Sequence, residues 1–289
     1  MLSKSDSSLT DTTTLDLPFL RKEVGLLSEK VAKFIYKEAQ DFDKDDIEVK
    51  SFNSLVSYVD KEAEKKIVQR LRELLPQAGI IAEEGTGTPK EEGFNWIIDP
   101  LDGTTNFVHG IPVYSISIAL AHTKKVEEKI KTELLVGIVY EVNRKECFAA
   151  HQNGGATLNG KKIMVSGENQ LGKSLIATGF PYEDFDRIED YLFMMGTMMK
   201  AAHGLRRLGS AAVDLSFVAA GRFEGYFEYN LNAWDVAAGA LIVKEAGGIV
   251  SDFEGNEIVD NYIFGKQIIA ATNVHPQILK LVKEVFLKK

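Results

Sequence analysis

One stretch of the chain limits its fold more than any other. In residues 96–107, WIIDPLDGTTNF, an apolar run leads directly into two aspartates. The run Trp-Ile-Ile is typical of a buried strand, and Pro100 is expected to stop the strand ladder and turn the backbone. The turn would bring the carboxylates of Asp99 and Asp102 to one side and leave the Leu101 carbonyl free as a ligand. Two unit charges about 4 Å apart repel each other by about 1 kcal/mol even in water, so a bound cation is expected to offset the repulsion.

Three further acidic residues occupy similar positions. Glu83 follows an apolar strand-like run, Asp60 follows a half-apolar one, and Asp235 comes directly after Trp234 at the predicted start of a helix. Mg²⁺ prefers oxygen ligands of this kind, commonly one or two carboxylates together with water and substrate phosphate. The set therefore predicts a magnesium site. A solvated acidic loop at Glu83 and a first-turn helix carboxylate at Asp235 are the ordinary alternatives.

The residues after Asp102 suit an anion. Gly103 tolerates a positive φ and a close backbone approach, and Thr104 and Thr105 supply hydroxyls and amides where a helical turn could begin. Cations beside such amides indicate a phosphate ester as the ligand. A surface turn is the alternative for the Asp-Pro-Leu-Asp-Gly segment, because these residue types are common in turns. The apolar flanks on both sides of the segment favour the buried site.

Charge and composition argue against several classes of protein. The 289 residues carry a formal net charge of −8 and a pI of about 5.3, which argues against broad binding to nucleic acid or anionic membranes. No window reaches the roughly 18 apolar residues of a membrane span. Cys147 is the single cysteine, so a reducing, cytoplasmic location is expected. Residues 1–16 are interpreted as a flexible polar tail rather than a signal peptide.

Hydrophobic periodicity predicts a mixture of helices and strands. Helices are predicted from Pro18, from near Asp60 (with its carboxylate as the cap) to Pro76, over 184–202, 211–220 and 233–246, and from His275. Strands are predicted at 80–81, 96–98, 115–121, 134–141, 146–151, 174–178, 205–208, 225–228, 249–252 and 268–271, with a charged connection over 124–133. Because the strands and helices do not alternate strictly, the predicted fold class is α+β with layered sheets and helices.

Two long stretches of the sequence resemble a known family, the inositol monophosphatases. Residues 96–110, WIIDPLDGTTNFVHG, are similar to its first signature, and residues 234–248, WDVAAGALIVKEAGG, to its second. The segments 59–60 and 82–84 match two shorter elements in the expected order. The resemblance covers the chain beyond its N-terminal tail. It implies a layered αβαβα sandwich in a single phosphatase domain over 17–289, with an N-terminal half (17–150) and a C-terminal half (151–289).

The resemblance also implies the chemistry, which is Mg²⁺-dependent and lithium-sensitive hydrolysis of a phosphate monoester by metal-activated water, without a covalent phospho-enzyme. Two to three ions are implied. One would be held by Glu83, Asp99 and the Leu101 carbonyl, and a second by Asp99, Asp102 and Asp235. A third, weaker ion would lie near Glu83. Glu83 is also counted with the catalytic residues.

The resemblance implies roles around the substrate as well. Thr104 and Asp60 would orient the attacking water, and backbone amides at Gly103 and Thr104 would hold the phosphate. Contacts to the hydroxyl-rich alcohol would come from Asp102, Ala211 and Glu228, with Gly209 and Ser210 nearby. The animal enzymes often carry Thr at the position of Ser210, which is a mild departure.

The preferred substrate is myo-inositol 1-phosphate. Thr105-Asn106 after Asp-Gly-Thr resembles the inositol group, since the nucleotide phosphatases typically carry Lys-Glu there, and Glu228 suits a neutral polyol. Fructose 1,6-bisphosphate and 3′-phosphoadenosine 5′-phosphate are the alternatives on the same metal site. Arg206 and Arg207 could pair with a second phosphate, although an ion pair or an interface is the more ordinary role.

A non-enzymatic alternative also stays open, because some bacterial relatives associate with the transcription machinery. Family members are commonly homodimers, so a homodimer is expected. The Met-rich helix around 191–199 suits either an interface or the core, and core packing is the first interpretation. His109 and His203 could line the cleft, but structural roles are favoured for both.

Overall fold

The computed structural model describes residues 15–42, 47–51, 54–127, 129–181 and 185–286. Eight helices lie within these ranges: α1 (Leu17–Asp41), α2 (Tyr58–Leu74), α3 (Thr104–Val108), α4 (Ile188–Ala201), α5 (Ala211–Ala219), α6 (Ala233–Glu245), α7 (Val259–Phe264) and α8 (His275–Phe286). Of these described helices, none combines the length and the apolar character that crossing a membrane would need.

The strands of the described residues form three sheets. β1 (Ile47–Ser51) and β2 (Ser54–Ser57) pair as a small hairpin. A seven-stranded sheet has the sequential order β3 (Gly79–Ala82), β4 (Gly93–Asp102), β5 (Ser115–Val126), β6 (Lys129–Glu141), β7 (Glu146–His151), β8 (Ala156–Leu158), β9 (Lys161–Lys162). A five-stranded sheet has the order β11 (Gly204–Arg206), β10 (Leu175–Thr178), β12 (Gly225–Tyr229), β14 (Gln267–Ala271), β13 (Ile249–Ser251).

Alternation along the strands divides the core into layers. On β4, Trp96 and Ile98 pack with α1 and α2, whereas Ile97 between them packs with α5 and α6. On the second sheet, Tyr226 faces α5 and α6, and Phe227 faces α4 and α8. The layers are therefore α1 and α2, the seven-stranded sheet, α5 and α6, the five-stranded sheet, and α4 and α8. The α+β class and the αβαβα sandwich are confirmed.

The middle helix layer is packed on both sides. Every residue of α5 is buried, including the polar residues Asp214 and Ser216, and its other residues are apolar on all sides, as is typical of a helix in the interior. The approach is close enough to require glycine: a Cβ at Gly239 of α6 would lie 2.6 Å from Leu215 Cβ, and one at Gly137 of β6 would lie 2.8 Å from the Ala238 carbonyl oxygen. The two sheets therefore hold α5 and α6 with little room to shift.

Several predicted elements differ from the structure. The connection over 124–133 is a hairpin, as predicted, but it is mostly paired strand, because β5 continues to Val126 and β6 begins at Lys129. The strand predicted at 205–208 is instead β11, which begins one residue earlier and ends two earlier. The short helix α7 was not predicted. The helix predicted over 184–202 is α4, which begins at Ile188.

Only one face of α4 agrees with the interpretation as core packing. Tyr191, Met194 and Met198 are buried, but Leu192 and Phe193 are 53% and 67% exposed. The division of the domain at residue 150 stays a prediction, and β8 and β9 beyond it extend the first sheet. The predicted tail falls almost entirely outside the described residues.

Candidate active site

The two aspartates after Trp-Ile-Ile lie on a bulged strand rather than on a turn. β4 continues through Pro100, with Asp99 opposite Ser117 of β5 and Asp102 opposite Ser115. Three steps on β4 match two on β5, so β4 carries one extra residue, as in a β-bulge. On a regular strand, side chains three residues apart point to opposite faces. The extra residue brings both carboxyl groups to the inner face, and the prediction that Pro100 ends the ladder is wrong.

A cavity of about 210 Å³ lies at this inner face, where β4 and β12 end and where α3, α5 and α6 begin. Its walls are strongly acidic. The carboxyl side chains that line it are those of Glu83, Asp99, Asp102, Asp214, Glu228 and Asp235. The described residues contribute two basic side chains to the wall, Arg207 and Lys266.

Behind the cavity, Thr104 connects to a buried carboxylate. Its Oγ1 lies 2.9 Å from Asp60 Oδ1 and 3.0 Å from the Leu101 carbonyl oxygen, and its single proton can serve one of them at a time. Asp60 Oδ2 accepts hydrogen bonds from Ser57 N–H (2.9 Å) and Ser57 Oγ–H (2.6 Å). Burial raises the Asp60 pKa, although the hydrogen bonds from Ser57 and Thr104 oppose the rise. A carboxylate with a raised pKa is the better proton acceptor.

This arrangement corrects the predicted helix start. Ser57 is the N-cap of α2, and Asp60 is the third helical residue of a capping box whose carboxylate reaches back to the Ser57 N–H. Asp60 is 1% exposed. The described cavity lining does not include it, and its contact with a lining residue is the hydrogen bond from Thr104.

The other carboxylates are fixed by helix starts. Asp102 Oδ2 accepts from Ser210 Oγ (2.6 Å) and from the Ala212 N–H (2.7 Å), which joins β4 to the first turn of α5. Asp235 Oδ2 accepts from the Asn232 N–H at 2.7 Å, at the start of α6. The amides of a first turn lack helical partners and favour negative charge, so both carboxylates are held in place.

A buried glutamate fixes the loop that carries Glu83. Glu64 of α2 is fully buried, and its two carboxylate oxygens accept from the Glu84 N–H (2.8 Å) and the Thr86 N–H (2.9 Å). The backbone after β3 is therefore tied to α2 on both sides of Gly85. This role could not be read from the sequence, where Glu64 stands among charged residues of an amphipathic helix.

The carboxylates at the cavity disfavour one another's ionisation. Burial raises the pKa of Asp99 well above its ordinary value, and the charges of Glu83, Asp102 and Asp235 raise it further. Burial raises the pKa of Asp102 to about 6, even though Ser210 donates a hydrogen bond to it. The pKa of Asp235 is also well above its ordinary value, through burial and the charge of Asp102. Nearby cations would relieve all three effects.

The donor set fits Mg²⁺ in its chemistry. Buried like charges are costly unless paired, and hard divalent cations are bound in proteins by carboxylate and carbonyl oxygens. Within the described residues, however, no group of three or more His, Cys, Asp or Glu side chains already converges as a coordination shell. Asp99 Oδ1, for example, accepts the Leu101 N–H at 2.9 Å. An ion would therefore require some of these side chains to reorient.

Glu228 forms another part of the cavity wall. Glu228 is buried, accepts a hydrogen bond from Tyr226 Oη, and packs so closely on Gly179 that a Cβ there would lie 2.0 Å from its carboxyl group. Burial raises the Glu228 pKa to about 8, against the opposing effect of the Tyr226 hydrogen bond. Arg207 lies over the ring of Phe180 with a 5.3 Å separation, and its charge lowers the pKa values of Asp102, Asp214 and Glu228.

Comparison with known proteins gives a family for this fold and cavity. The model of the inositol monophosphatase family matches residues 17–286. The chain is 40% identical over 257 residues to a putative Nus factor SuhB of Neisseria meningitidis, covering 88% of this chain and 94% of that protein. The IMPase structure from Thermotoga maritima superposes with a TM-score of 0.79 at 35% identity, covering 93% of this chain and 98% of that one.

The chain belongs to the inositol monophosphatase family.

A more distant solved structure shares the fold alone. It is an IMPase/NADP phosphatase complexed with Mg²⁺ and phosphate, 22% identical with a TM-score of 0.76, covering 92% of this chain and 96% of that one.

Most residues predicted for this inositol monophosphatase family site line one cavity. They are Glu83, Asp99, Leu101, Asp102, Gly103, Thr104, Gly209, Ser210, Ala211, Glu228 and Asp235. Four basic residues or histidines were considered as further cavity residues. Arg207 lines the cavity, whereas the described lining does not include His109, His203 or Arg206. Arg206 Nη1 instead donates to the Leu205 carbonyl at 2.8 Å.

Asn106 has a clear structural role in this member of the family. It is buried, and its Nδ2 donates to the Val113 carbonyl (2.7 Å) and the Leu208 carbonyl (2.8 Å). These bonds join α3 to the segment before α5. Gly209, at φ +89°, would place a Cβ 3.0 Å from the same amide nitrogen. Of the Thr105-Asn106 pair that favours the inositol group, Thr105 lines the cavity, and Asn106 bears on its shape through these bonds.

Proposed function

We propose that the protein is an Mg²⁺-dependent phosphatase that hydrolyses a phosphate monoester, with myo-inositol 1-phosphate as the preferred substrate. One observation carries this proposal: six carboxyl groups and two basic side chains line the cavity. Such a wall repels a phosphate group unless cations bind first. With cations bound, the cavity could hold a phosphate ester and promote its hydrolysis. The membership in the inositol monophosphatase family supports this activity.

Each residue then has a role. Glu83, Asp99, Asp102, Asp235 and the Leu101 carbonyl would hold two to three Mg²⁺ ions. When bound, such ions lower the pKa of a coordinated water and neutralise charge on the phosphate and on the leaving oxygen.

The chain's own groups would do the rest. Thr104 Oγ1 donates to Asp60, so its lone pairs can orient the attacking water, and Asp60 can accept a proton through the hydroxyl. Backbone amides at Gly103 and Thr104 would position the phosphate. Positioning and charge neutralisation are the main demands of phosphoryl transfer, so no covalent phospho-enzyme is needed.

The alcohol end favours a neutral polyol over a second phosphate. Glu228 offers a hydrogen-bond acceptor there, with Ser210 and Ala211 on the adjacent wall. Arg207 could bind a second anionic group, but its charge is already shared among Asp102, Asp214 and Glu228. A bisphosphate would have to displace these interactions.

The decisive experiment is Asp99→Asn, measured as Mg²⁺-dependent phosphate release. We expect activity to be lost while the circular dichroism spectrum and Tm stay close to those of the wild type, because one buried, repelled charge is removed. Asp252→Asn is the matched control, since Asp252 is a buried acid of the turn after β13 whose oxygens accept from Glu254 and Asn256. Retained activity in Asp99→Asn would overturn the metal assignment.

Substrate choice needs a panel. We expect kcat/KM for myo-inositol 1-phosphate to exceed that for fructose 1,6-bisphosphate and for 3′-phosphoadenosine 5′-phosphate. A clear preference for either bisphosphate would replace the first choice and would give Arg207 the role of second-phosphate ligand. Lithium inhibition, measured in the same assay, is expected as well.

A regulatory role is the second candidate, and the similarity to a putative Nus factor SuhB is the observation that favours it. A role in binding a transcription partner would depend on the surface and not on the metal site. An Asp99→Asn variant without phosphatase activity that still supports the cellular function would favour this role, and loss of both together would argue for catalysis.

We also propose a homodimer, in a cytoplasmic location, through the outer face of α4. Leu192, Phe193 and Met199 are 53%, 67% and 59% exposed on this one helix, which is an unusual density of apolar side chains for a free surface. Phe193→Glu should shift the mass measured by light scattering from dimer to monomer. Phe264→Glu, at an exposed position on α7, is the control and should leave the mass unchanged.

A further inference from the structure

Asp214 is a cavity-lining acid to which neither the sequence nor the proposed chemistry gives a role. It lies in the first turn of α5 and is only 1% exposed, yet the residue borders the cavity. Its Oδ1 atom is buried and has no hydrogen-bond partner within the described part of the chain. Buried polar atoms are nearly always paired, because an unpaired one loses its hydration without compensation. An unpartnered carboxyl oxygen on a residue that borders the cavity points to a ligand group that would supply the missing partner when bound.

The groups around Asp214 show which ligand atoms it would meet. Glu228 and Asp102 both raise its pKa by their charges, after burial, and Arg207 lowers it. Asp214 therefore lies near Glu228 and Asp102, two of the residues proposed to contact the alcohol, and its helix α5 packs against β12, which carries Glu228. Neither carboxyl group offers a phosphate a positive charge or a fixed set of donors, whereas a hydroxyl can donate to one and accept from another donor.

A purely structural role explains the position less well. A structural acid near a helix start normally caps an amide, as Asp235 does with the Asn232 N–H. Asp252, another buried acid, accepts at both of its oxygens. Asp214 Oδ1 does neither, although it stands in a helix whose every residue is buried.

We infer that Asp214 is a specificity-determining residue that hydrogen-bonds a hydroxyl of the substrate's alcohol, beside the hydroxyl contact of Glu228. The inference rests on the proposed function, because it assumes that a phosphorylated polyol occupies the cavity. It extends the polyol wall from one carboxyl group to two, on different elements, β12 and α5. Two such groups can distinguish a ring with several hydroxyls from an alcohol with none.

The test compares two substrates in each variant. Asp214→Leu keeps the branched shape of the side chain and removes both oxygens, and Asp214→Asn restores hydrogen bonding without the charge. We expect Asp214→Leu to lower kcat/KM for myo-inositol 1-phosphate about tenfold, mainly through KM, and to change kcat/KM for ethyl phosphate less than twofold. Asp214→Asn should recover most of the loss.

Ser216→Ala is the matched control. Ser216 lies two residues further along α5, is fully buried and also has an unpartnered Oγ within the described residues, but it is not among the residues that line the cavity. Its substitution should leave both substrates unchanged. If Asp214→Leu does not fold, Asp214→Ala carries the test, since it is smaller and cannot clash.

Two outcomes would overturn the inference: an equal loss on both substrates, which would mark a structural role, or no loss on either. Failure of the proposed function is a separate result, because the wild type would then release no phosphate from either substrate in the presence of Mg²⁺. A loss on inositol 1-phosphate alone, with recovery in Asp214→Asn, supports the assignment.

Discussion

Helices α2 and α6 begin in the same way and serve the site differently. Each has a capping box with an aspartate as its third helical residue, Asp60 in α2 and Asp235 in α6, which accepts the N–H of the N-cap residue. The second oxygen separates them. In Asp60 it meets Thr104 Oγ1 in the protein interior, whereas Asp235 borders the cavity. The same local motif thus holds a proposed proton acceptor in one helix and a proposed metal ligand in the other.

The difference shows that a cap motif fixes where a carboxylate stands but not what it does. One oxygen is engaged by the backbone in both cases, and the neighbours of the other decide the function. Neutralising each aspartate tests whether the two helix starts differ in function, since asparagine keeps an oxygen for the cap and removes the charge.

Asp235→Asn should have the largest effect. We expect phosphate release to fall about 10³-fold, because a ligand of the proposed metal site is lost, and we expect the Mg²⁺ concentration for half-maximal activity to rise. Tm should stay constant or increase, since the lost charge repels Asp102. Steady-state kinetics over a Mg²⁺ series and differential scanning calorimetry measure both quantities. An unchanged Mg²⁺ requirement would contradict the assignment.

Asp60→Asn should have a smaller effect of a different kind. We expect kcat to fall about 10²-fold, within the range of a lost general base, with the Mg²⁺ requirement unchanged. The same Mg²⁺ series gives the answer. If Asp60→Asn and Asp235→Asn shift the Mg²⁺ requirement alike, then the two helix starts do not differ in function and the comparison fails.

The metal-free protein should become less stable as pH rises. In the fold, the pKa of Asp102 is about 6 and that of Glu228 about 8, against ordinary values of 3.8 and 4.5. The folded state therefore binds these protons more tightly than the unfolded state, so the free energy of unfolding falls as pH rises from about 4 through about 8.

We expect Tm without Mg²⁺ to decrease by several degrees between pH 5 and pH 8, and added Mg²⁺ to recover part of the decrease. Differential scanning fluorimetry across pH measures this. Asp235→Asn should flatten the pH profile more than Asp60→Asn, because the Asp235 pKa is raised well above its ordinary value. A profile that rises with pH would contradict the predicted protonation.

Ser57→Ala should have the smallest effect. It removes the N-cap hydroxyl of α2, which accepts from the Val59 N–H at 3.2 Å, so we expect a loss of about 1 kcal/mol in the free energy of unfolding. In both variants the aspartate keeps its bond from the backbone N–H of the cap residue. Asn232→Ala at α6 should cost less, because Ser57→Ala also removes the 2.6 Å hydrogen bond that Ser57 Oγ donates to Asp60. Urea unfolding of the two variants compares the caps directly; equal losses would show that the caps are equivalent.

The fold class and the strongly periodic elements could be predicted from the sequence. The apolar runs of β4 to β7 and the signature stretches are local patterns, which can be read without knowing the fold. The four acidic residues predicted to share one site, Glu83, Asp99, Asp102 and Asp235, all line the cavity. Their metal roles stay predictions. What depends on pairing could not be predicted: the bulge in β4 exists only relative to β5, so Pro100 looked like the end of a strand.

The missed residues share a different cause. Glu64 and Asp214 lie in helices at positions where an acidic residue is ordinarily solvated or near a helix start, and only the packing of other elements buries them. The helix start at Ser57 was missed because both Ser57 and Asp60 are good caps, and the capping box uses both. The short helix α7 has six residues, too few for a periodic pattern.

The layer formed by α5 and α6 has a consequence for genetics. These helices carry Ser210 and Asp235 at their starts and also fill the space between the two sheets. Substitutions along these helices, even away from the cavity, would lower activity because they would displace the helix starts that line the cavity. A random mutagenesis screen for lost activity should therefore return many changes in α5 and α6, whereas α1, which is packed on one side only, should tolerate substitutions along its whole outer face.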